Sequence, residues 1–176
     1  METKSNLVLI GMPGAGKSTV GVLLAKRLGH GFLDTDIVIQ SREGRSLERI
    51  IREEGTEGFR ALEARYIRDI DARRCVVATG GSVVYDDAAM DHLRAGGRVV
   101  FLDLSPAALR DRLGDMDARG VTRAPGQSLD DLFAEREPLY RRYADAVVRC
   151  DGLGPEPVVR AVRTALEKIG EDDSIL

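Results

Sequence analysis

Gly11, Gly16, Lys17 and Ser18 stand at the spacing G-x-x-x-x-G-K-[ST] within Gly11-Met-Pro-Gly-Ala-Gly-Lys-Ser-Thr19, the spacing of a loop that wraps phosphate. Glycines let the backbone curl so that successive N–H groups point inward at phosphate oxygens. Gly14, Ala15, Gly16, Lys17, Ser18 and Thr19 are therefore the candidate nucleotide-binding residues. A helix starting at Lys17 adds the positive end of its dipole. The Lys17 ammonium can reach the β- and γ-phosphates, and the Ser18 hydroxyl can hold Mg²⁺. Such a loop works only between a strand and a helix. Leu7-Val-Leu-Ile10 before it and a helical stripe after it supply both.

Two further acids lie in Asp34-Thr-Asp36. If a strand continues through them, both side chains project the same way. One can then orient Mg²⁺ while the other accepts the proton of an attacking hydroxyl. The other reading is an Asx turn that ends the strand, and the pattern leaves both open. Arg60 falls off the Phe59–Leu62 stripe of its helix and has Glu57 and Glu63 three residues away as ion-pair partners. Gly80-Gly81 after a strand lets backbone approach a ligand closely, or is merely a turn. Arg136, Arg141 and Arg142 share a helix with Glu135 and Glu137, an arrangement that on most helices is a solvated face. Asp103 ends Val99-Val-Phe-Leu-Asp and either holds Mg²⁺ or closes a strand before Ser105-Pro106.

The elements that must position these residues alternate between strand and helix. Strands are expected at 7–10, 31–36, 75–79, 98–104 and 146–150. Helices are expected at 19–28, across 37–72 with breaks at Gly44 and Gly55, and at 86–93, 106–113, 128–143 and 156–169. Ser46, Thr56, Ser105 and Ser128 are candidate N-caps, Gly29 is a C-terminal stop, and Pro138 is placed to bend its helix. The polar, aperiodic residues 114–127 read as a mobile loop and 170–176 as a flexible tail. Five strands with helical crossovers predict a three-layer α/β/α domain on a parallel sheet, its ligands at the carboxyl ends of the strands.

A chain of 176 residues with this pattern fits one domain. The net charge of −3 argues against nucleic acid or an anionic membrane as the main partner, and no apolar run reaches the length of a membrane span. Cys75 and Cys150 are far apart and read as buried thiols in a reducing compartment. The first residues lack the pattern of a signal sequence, so a cytoplasmic location is expected; a monomer is expected separately.

Taken in order, Gly11–Thr19, Phe32-Leu-Asp-Thr-Asp36, Glu54-Gly-Thr-Glu-Gly-Phe-Arg60, Ala78-Thr-Gly-Gly81 and Glu135-Arg-Glu-Pro-Leu-Tyr140 resemble the shikimate kinases, a branch of the nucleoside-monophosphate-kinase group of phosphate-loop proteins. The likeness runs from about Asn6 to Leu166. It implies a kinase using ATP and Mg²⁺, with Lys17, Asp36 and Arg119 catalytic. Asp36 would receive or hold the acceptor hydroxyl, and Asp34 would stand in the outer sphere of the Mg²⁺ bound by Ser18. Arg60 and Arg136 would clamp the carboxylate of a small hydroxy acid, a geometry that suits guanidinium forks. The Gly81 backbone would touch a substrate hydroxyl. Residues 114–127 would form a lid whose Arg119, or else Arg123, meets the phosphates. Two departures stand out. The third glycine of the family's A-T-G-G-G is Ser82, and the lid's R-P-L-L is replaced by Arg119-Gly-Val-Thr-Arg-Ala-Pro125. Homoserine or gluconate is accordingly the alternative acceptor, and a nucleotide-binding protein without catalysis is the alternative outside enzymes.

Overall fold

The computed structural model describes residues 4–113 and 121–169. Five parallel strands, β1 (Asn6–Ile10), β2 (Gly31–Asp34), β3 (Cys75–Ala78), β4 (Gly97–Asp103) and β5 (Ala146–Arg149), form one sheet in the order β2-β3-β1-β4-β5. Register pairs Leu9 with Ala78 on one side of β1 and with Val100 on the other. β1, β3 and the body of β4 are buried apolar runs, as strands covered on both faces must be. Because all five run one way, the segments leaving β1, β2 and β3 emerge at one edge. There the phosphate-binding stretch, the Asp34–Asp36 stretch and Gly80-Gly81 meet.

The crossovers are α1 (Lys17–Leu28), α2 (Thr35–Glu43), α3 (Leu47–Arg68), α4 (Asp87–Gly96), α5 (Pro106–Leu113), α6 (Leu129–Tyr143) and α7 (Pro155–Ile169). α1 packs on α7 and on β2 and β3, while α3 packs on α4, which covers β4. Expected local signals hold, except for the N-cap expected at Thr56, which lies inside α3. Ser46 accepts from the Arg49 N–H, and Ser105 from the Ala108 N–H. Ser128 and Asp131 form a reciprocal capping box. Gly29 and Gly44 close their helices in left-handed conformation. Gly55, at φ 74° and ψ 175°, interrupts α3 where a break was expected. Thr56 spends its hydroxyl across the fold on the Arg123 carbonyl, at 3.5 Å. Both cysteines are free and buried.

One boundary differs in a way that matters. β2 ends at Asp34, and Asp36 lies in the first turn of α2 rather than in a continuing strand. Arg119 and half of the lid stretch fall in 114–120, outside the described residues, as does the tail; residues 121–128 have no helix or strand. Among the described residues no helix is long and apolar enough to cross a membrane.

Candidate active site

The loop from β1 to α1 spends the Ala15 N–H on the Met12 carbonyl at 3.1 Å and leads into a helix start without a side-chain cap. Gly16 caps α1 at φ 93°, a left-handed conformation that a Cβ would strain, no side chain caps the helix, and no acid occupies its first turn. The Lys17 side chain folds back over the loop, its Nζ donating to the carbonyls of Gly11 and Met12 at 2.8 Å each. Burial pushes this ammonium down to about 8, against the pull of Asp36 and Asp34, which favour its charged form. Ser18 Oγ donates to Asp34 Oδ2 at 2.5 Å.

Asp34 ends the strand as the turn reading expected, and it also faces Ser18. Its Oδ1 caps α2 by accepting from the N–H groups of Asp36 and Ile37 at 3.0 and 3.2 Å, while Oδ2 faces Ser18. The cap, not strand alternation, aims Asp36. Asp36 Oδ1 is buried without a partner. Burial first, then the neighbouring Asp34 charge, raises this carboxyl to about 6, with Lys17 opposing. A Cβ on Gly80 would stand 2.8 Å from Asp36 Oδ1 and would overlap Glu63 Oε1, so only glycine fits between the two carboxylates. Gly80 is held there by its N–H bond to Thr35 Oγ1 at 3.0 Å. Glu63 is 1% exposed and accepts from Ser82 Oγ at 2.5 Å, and its other oxygen has no partner. Burial and the Asp36 charge raise it to about 7, and the Ser82 bond works against them.

Arg136 corrects the expectation of a solvated helix charge: it is 0% exposed. Its Nε donates to the Tyr85 hydroxyl at 3.1 Å, and its Nη2 to the Thr122 carbonyl and hydroxyl. Nη1 is buried with no partner, 3.1 Å from where a Cβ on Gly81 would stand. Tyr140, stacked on Phe101 with centroids 5.0 Å apart, donates to the Gly81 carbonyl at 2.6 Å and fixes that backbone. Arg60 pairs with Glu57 at 3.1 Å, not with Glu63, and its guanidinium lies 3.8 Å above the Tyr85 ring.

These groups border a cleft of about 630 Å³ lined by the phosphate loop, Asp36, Phe59, Gly80 and Gly81, and extending to Arg112 and Pro155. Arg60 lines a neighbouring cavity of about 350 Å³, which shares Ser82 with the cleft. Asp103 is elsewhere engaged: its Oδ2 accepts from Arg141 Nη2 at 2.9 Å. It closes β4 as the bland reading had it. Arg123 donates to the Gln127 carbonyl at 2.8 Å, within its own turn.

Comparison with known proteins bears on this arrangement. The family model described as shikimate kinase matches residues 13–167. The chain is similar to the shikimate kinase of Pseudomonas aeruginosa (strain LESB58), 42% identical over 167 residues, 93% of this chain and 97% of that one. It is also similar in structure to the Acinetobacter baumannii shikimate kinase in complex with shikimate, with a TM-score of 0.88, 30% identity and 97% of each chain covered. The chain belongs to the shikimate kinase family. Likeness to a gluconokinase from Sinorhizobium meliloti, at a TM-score of 0.59 and 20% identity, extends to the fold alone.

A shikimate kinase uses ATP with Mg²⁺. The donor set fits that ion: Ser18 and Asp34 offer hard oxygens beside the phosphate loop. Among the described residues no cluster of three acids, histidines or cysteines forms a protein cage. Mg²⁺ suits few protein ligands, because it keeps waters and phosphate oxygens. When bound it supplies positive charge to the phosphates.

The family motifs thus bring Lys17, Ser18, Asp36, Gly80 and Gly81 to one cleft, with Asp34 behind Ser18 and Arg136 behind Gly81 and Thr122. Arg60 is set one cavity away. Glu63, Tyr85, Thr122 and Arg112 were not singled out from sequence as site residues. Glu63 alone left a trace there, as a carboxylate next to Leu62 on the buried stripe of α3. The Ser82 departure is also explained, since its hydroxyl is buried on Glu63.

Proposed function

We infer that the protein transfers the γ-phosphoryl group of MgATP to the 3-hydroxyl of shikimate, giving shikimate 3-phosphate and ADP. The observation that carries the residue roles is a pair of buried, unpartnered polar groups beside successive glycines: Asp36 Oδ1 at Gly80 and Arg136 Nη1 at Gly81. A buried donor or acceptor left unpaired is costly, and a hydroxy-carboxylate satisfies both groups at once. Asp36 accepts the hydroxyl proton as the new O–P bond forms and the bond to the bridging oxygen of ADP breaks. Lys17 and the N-terminus of α1 stabilise the phosphate charge, so that little covalent chemistry falls to the protein. Ser18 and Asp34 hold Mg²⁺ and its water. Arg136, with Arg60 joining it from the next cavity, holds the carboxylate. The guanidinium of Arg112 and the Leu153–Pro155 turn border the cleft beyond Gly16 and offer a purine one cationic and one apolar face. Arg119 remains the choice for the lid arginine.

The proposal takes the protein to be a single-domain monomer. The buried free thiols fit the cytoplasm, and the net charge of −3 disfavours nucleic acid. Light scattering tests the first point. The activity is tested by ADP release from MgATP with shikimate, homoserine and gluconate in parallel. Release dependent on shikimate is expected; release only with homoserine or gluconate would reassign the acceptor. Asp36→Asn is expected to abolish turnover while ATP still binds, and normal turnover would remove Asp36 from its role.

A further inference from the structure

Tyr85 touches both arginines assigned to the carboxylate. It ends a single 3₁₀ turn, Val83–Tyr85, directly after the glycine segment, with its N–H donating to the Ser82 carbonyl at 3.1 Å. Its ring lies flat beneath Arg60, whose Cζ is 3.8 Å from the ring centroid, and Arg136 Cζ is 5.2 Å from the same centroid. Its hydroxyl has one proton to give. That proton goes to Glu135 Oε1, which leaves a lone pair for Arg136 Nε. Glu135 is itself held by Gln127 Nε2, which donates to Oε2 at 2.8 Å. The hydrogen bond from Tyr85 also holds the Glu135 carboxyl below its ordinary value, so the acceptor stays ionised and the direction of the bond is fixed.

Two cations near each other repel and, unsupported, would spread apart. Here a single side chain separates them. An aromatic face attracts one guanidinium, and an oriented hydroxyl accepts from the other. What remains for a ligand is defined by that support: of these two guanidinium groups, Arg60 Nε and Arg136 Nη1 are buried without a partner.

We propose that Tyr85 is the positioning residue of the carboxylate clamp, fixing the spacing of Arg60 and Arg136 and so the preference of the enzyme for an acceptor bearing a free carboxylate. This rests on the reading of the acceptor as a hydroxy-carboxylate. Tyr85 acts through the two arginines and does not itself react.

The test compares wild type, Tyr85→Phe and Tyr85→Leu, measuring kcat and KM with shikimate and with its methyl ester, KM for ATP, and the unfolding temperature. Tyr85→Leu removes ring and hydroxyl and is expected to raise the shikimate KM about tenfold, with kcat and the ATP KM nearly unchanged. Tyr85→Phe keeps the ring and is expected to fall between, at about threefold. Both should narrow the preference for free acid over ester, which a merely structural role would not alter. A preference equal to wild type in both variants overturns the proposal. If Tyr85→Leu fails to fold, the nearly isosteric Tyr85→Phe decides alone by the same ratio. A wild-type enzyme that uses acid and ester equally contradicts the clamp itself, a failure distinguishable from that of Tyr85.

Discussion

Replacing Arg136 with methionine separates a structural charge from one kept for a ligand. The guanidinium is fully buried and spends Nε and Nη2 on Tyr85 and Thr122, leaving Nη1 for the acceptor. Losing one side of a buried charge pair costs about 2–5 kcal/mol. Because Arg60 still supplies a cation, the low end applies: about 2 kcal/mol, or roughly 30-fold in kcat/KM for shikimate, with a few thousand-fold as the ceiling. Methionine fills the same channel without a charge to desolvate, so the fold should survive. A coupled assay of ADP release, with ATP and shikimate varied in turn, reads the effect beside a thermal melt. The loss should fall on shikimate and spare the ATP KM. An unchanged kcat/KM for shikimate, or an equal loss with an uncharged analogue, would refute the reasoning.

The acid limb of the kcat/KM profile should follow Asp36, which must be ionised to take a proton. Activity is expected to fall as pH drops through about 6. Above about 8 the free enzyme loses the Lys17 charge and with it ATP affinity; a flat profile from pH 5 to 9 would contradict both assignments. Stability carries a matching signature. Asp36 and Glu63 are raised in the fold and bind protons that the unfolded chain has released, so their contribution is full below about pH 4 and lost above about pH 7. Unfolding free energy should therefore decline across that window, and Glu63→Gln should remove a share on the order of 3 kcal/mol. No change in slope would oppose this. Gly80→Ala forces a methyl onto Asp36 and Glu63 and should cut kcat about 100-fold or more; wild-type turnover would show that the carboxylate position is not critical. Asp103→Asn should leave turnover intact and cost at most about 1 kcal/mol, because its partner is the half-exposed Arg141. A large loss of kcat would restore its Mg²⁺ role.

The phosphate loop was legible because its shape is set locally, by glycines and one lysine between a buried strand and a helix. The sheet was legible for a similar reason, since runs such as Leu7–Ile10 and Val99–Leu102 leave no choice but burial. The placement of Asp36 was not, because alternation along a strand says nothing of where a capping side chain ends it. Asp34 accepts two N–H groups and turns the chain into α2. The buried charges were half legible. Arg136 shares a helical stripe with Leu129, Leu132, Tyr140 and Tyr143, and Glu63 lies beside Phe59 and Leu62. A charge on an apolar stripe marks a partner to be found elsewhere in the fold. Nothing local named Tyr85 as that partner, 51 residues from Arg136.

The most direct test of the activity is phosphorus NMR of the protein with MgATP and shikimate. A phosphomonoester signal that grows with ADP, and only when shikimate is present, is the predicted result. ADP accompanied by inorganic phosphate alone, or no consumption of ATP, would contradict phosphoryl transfer to the acceptor.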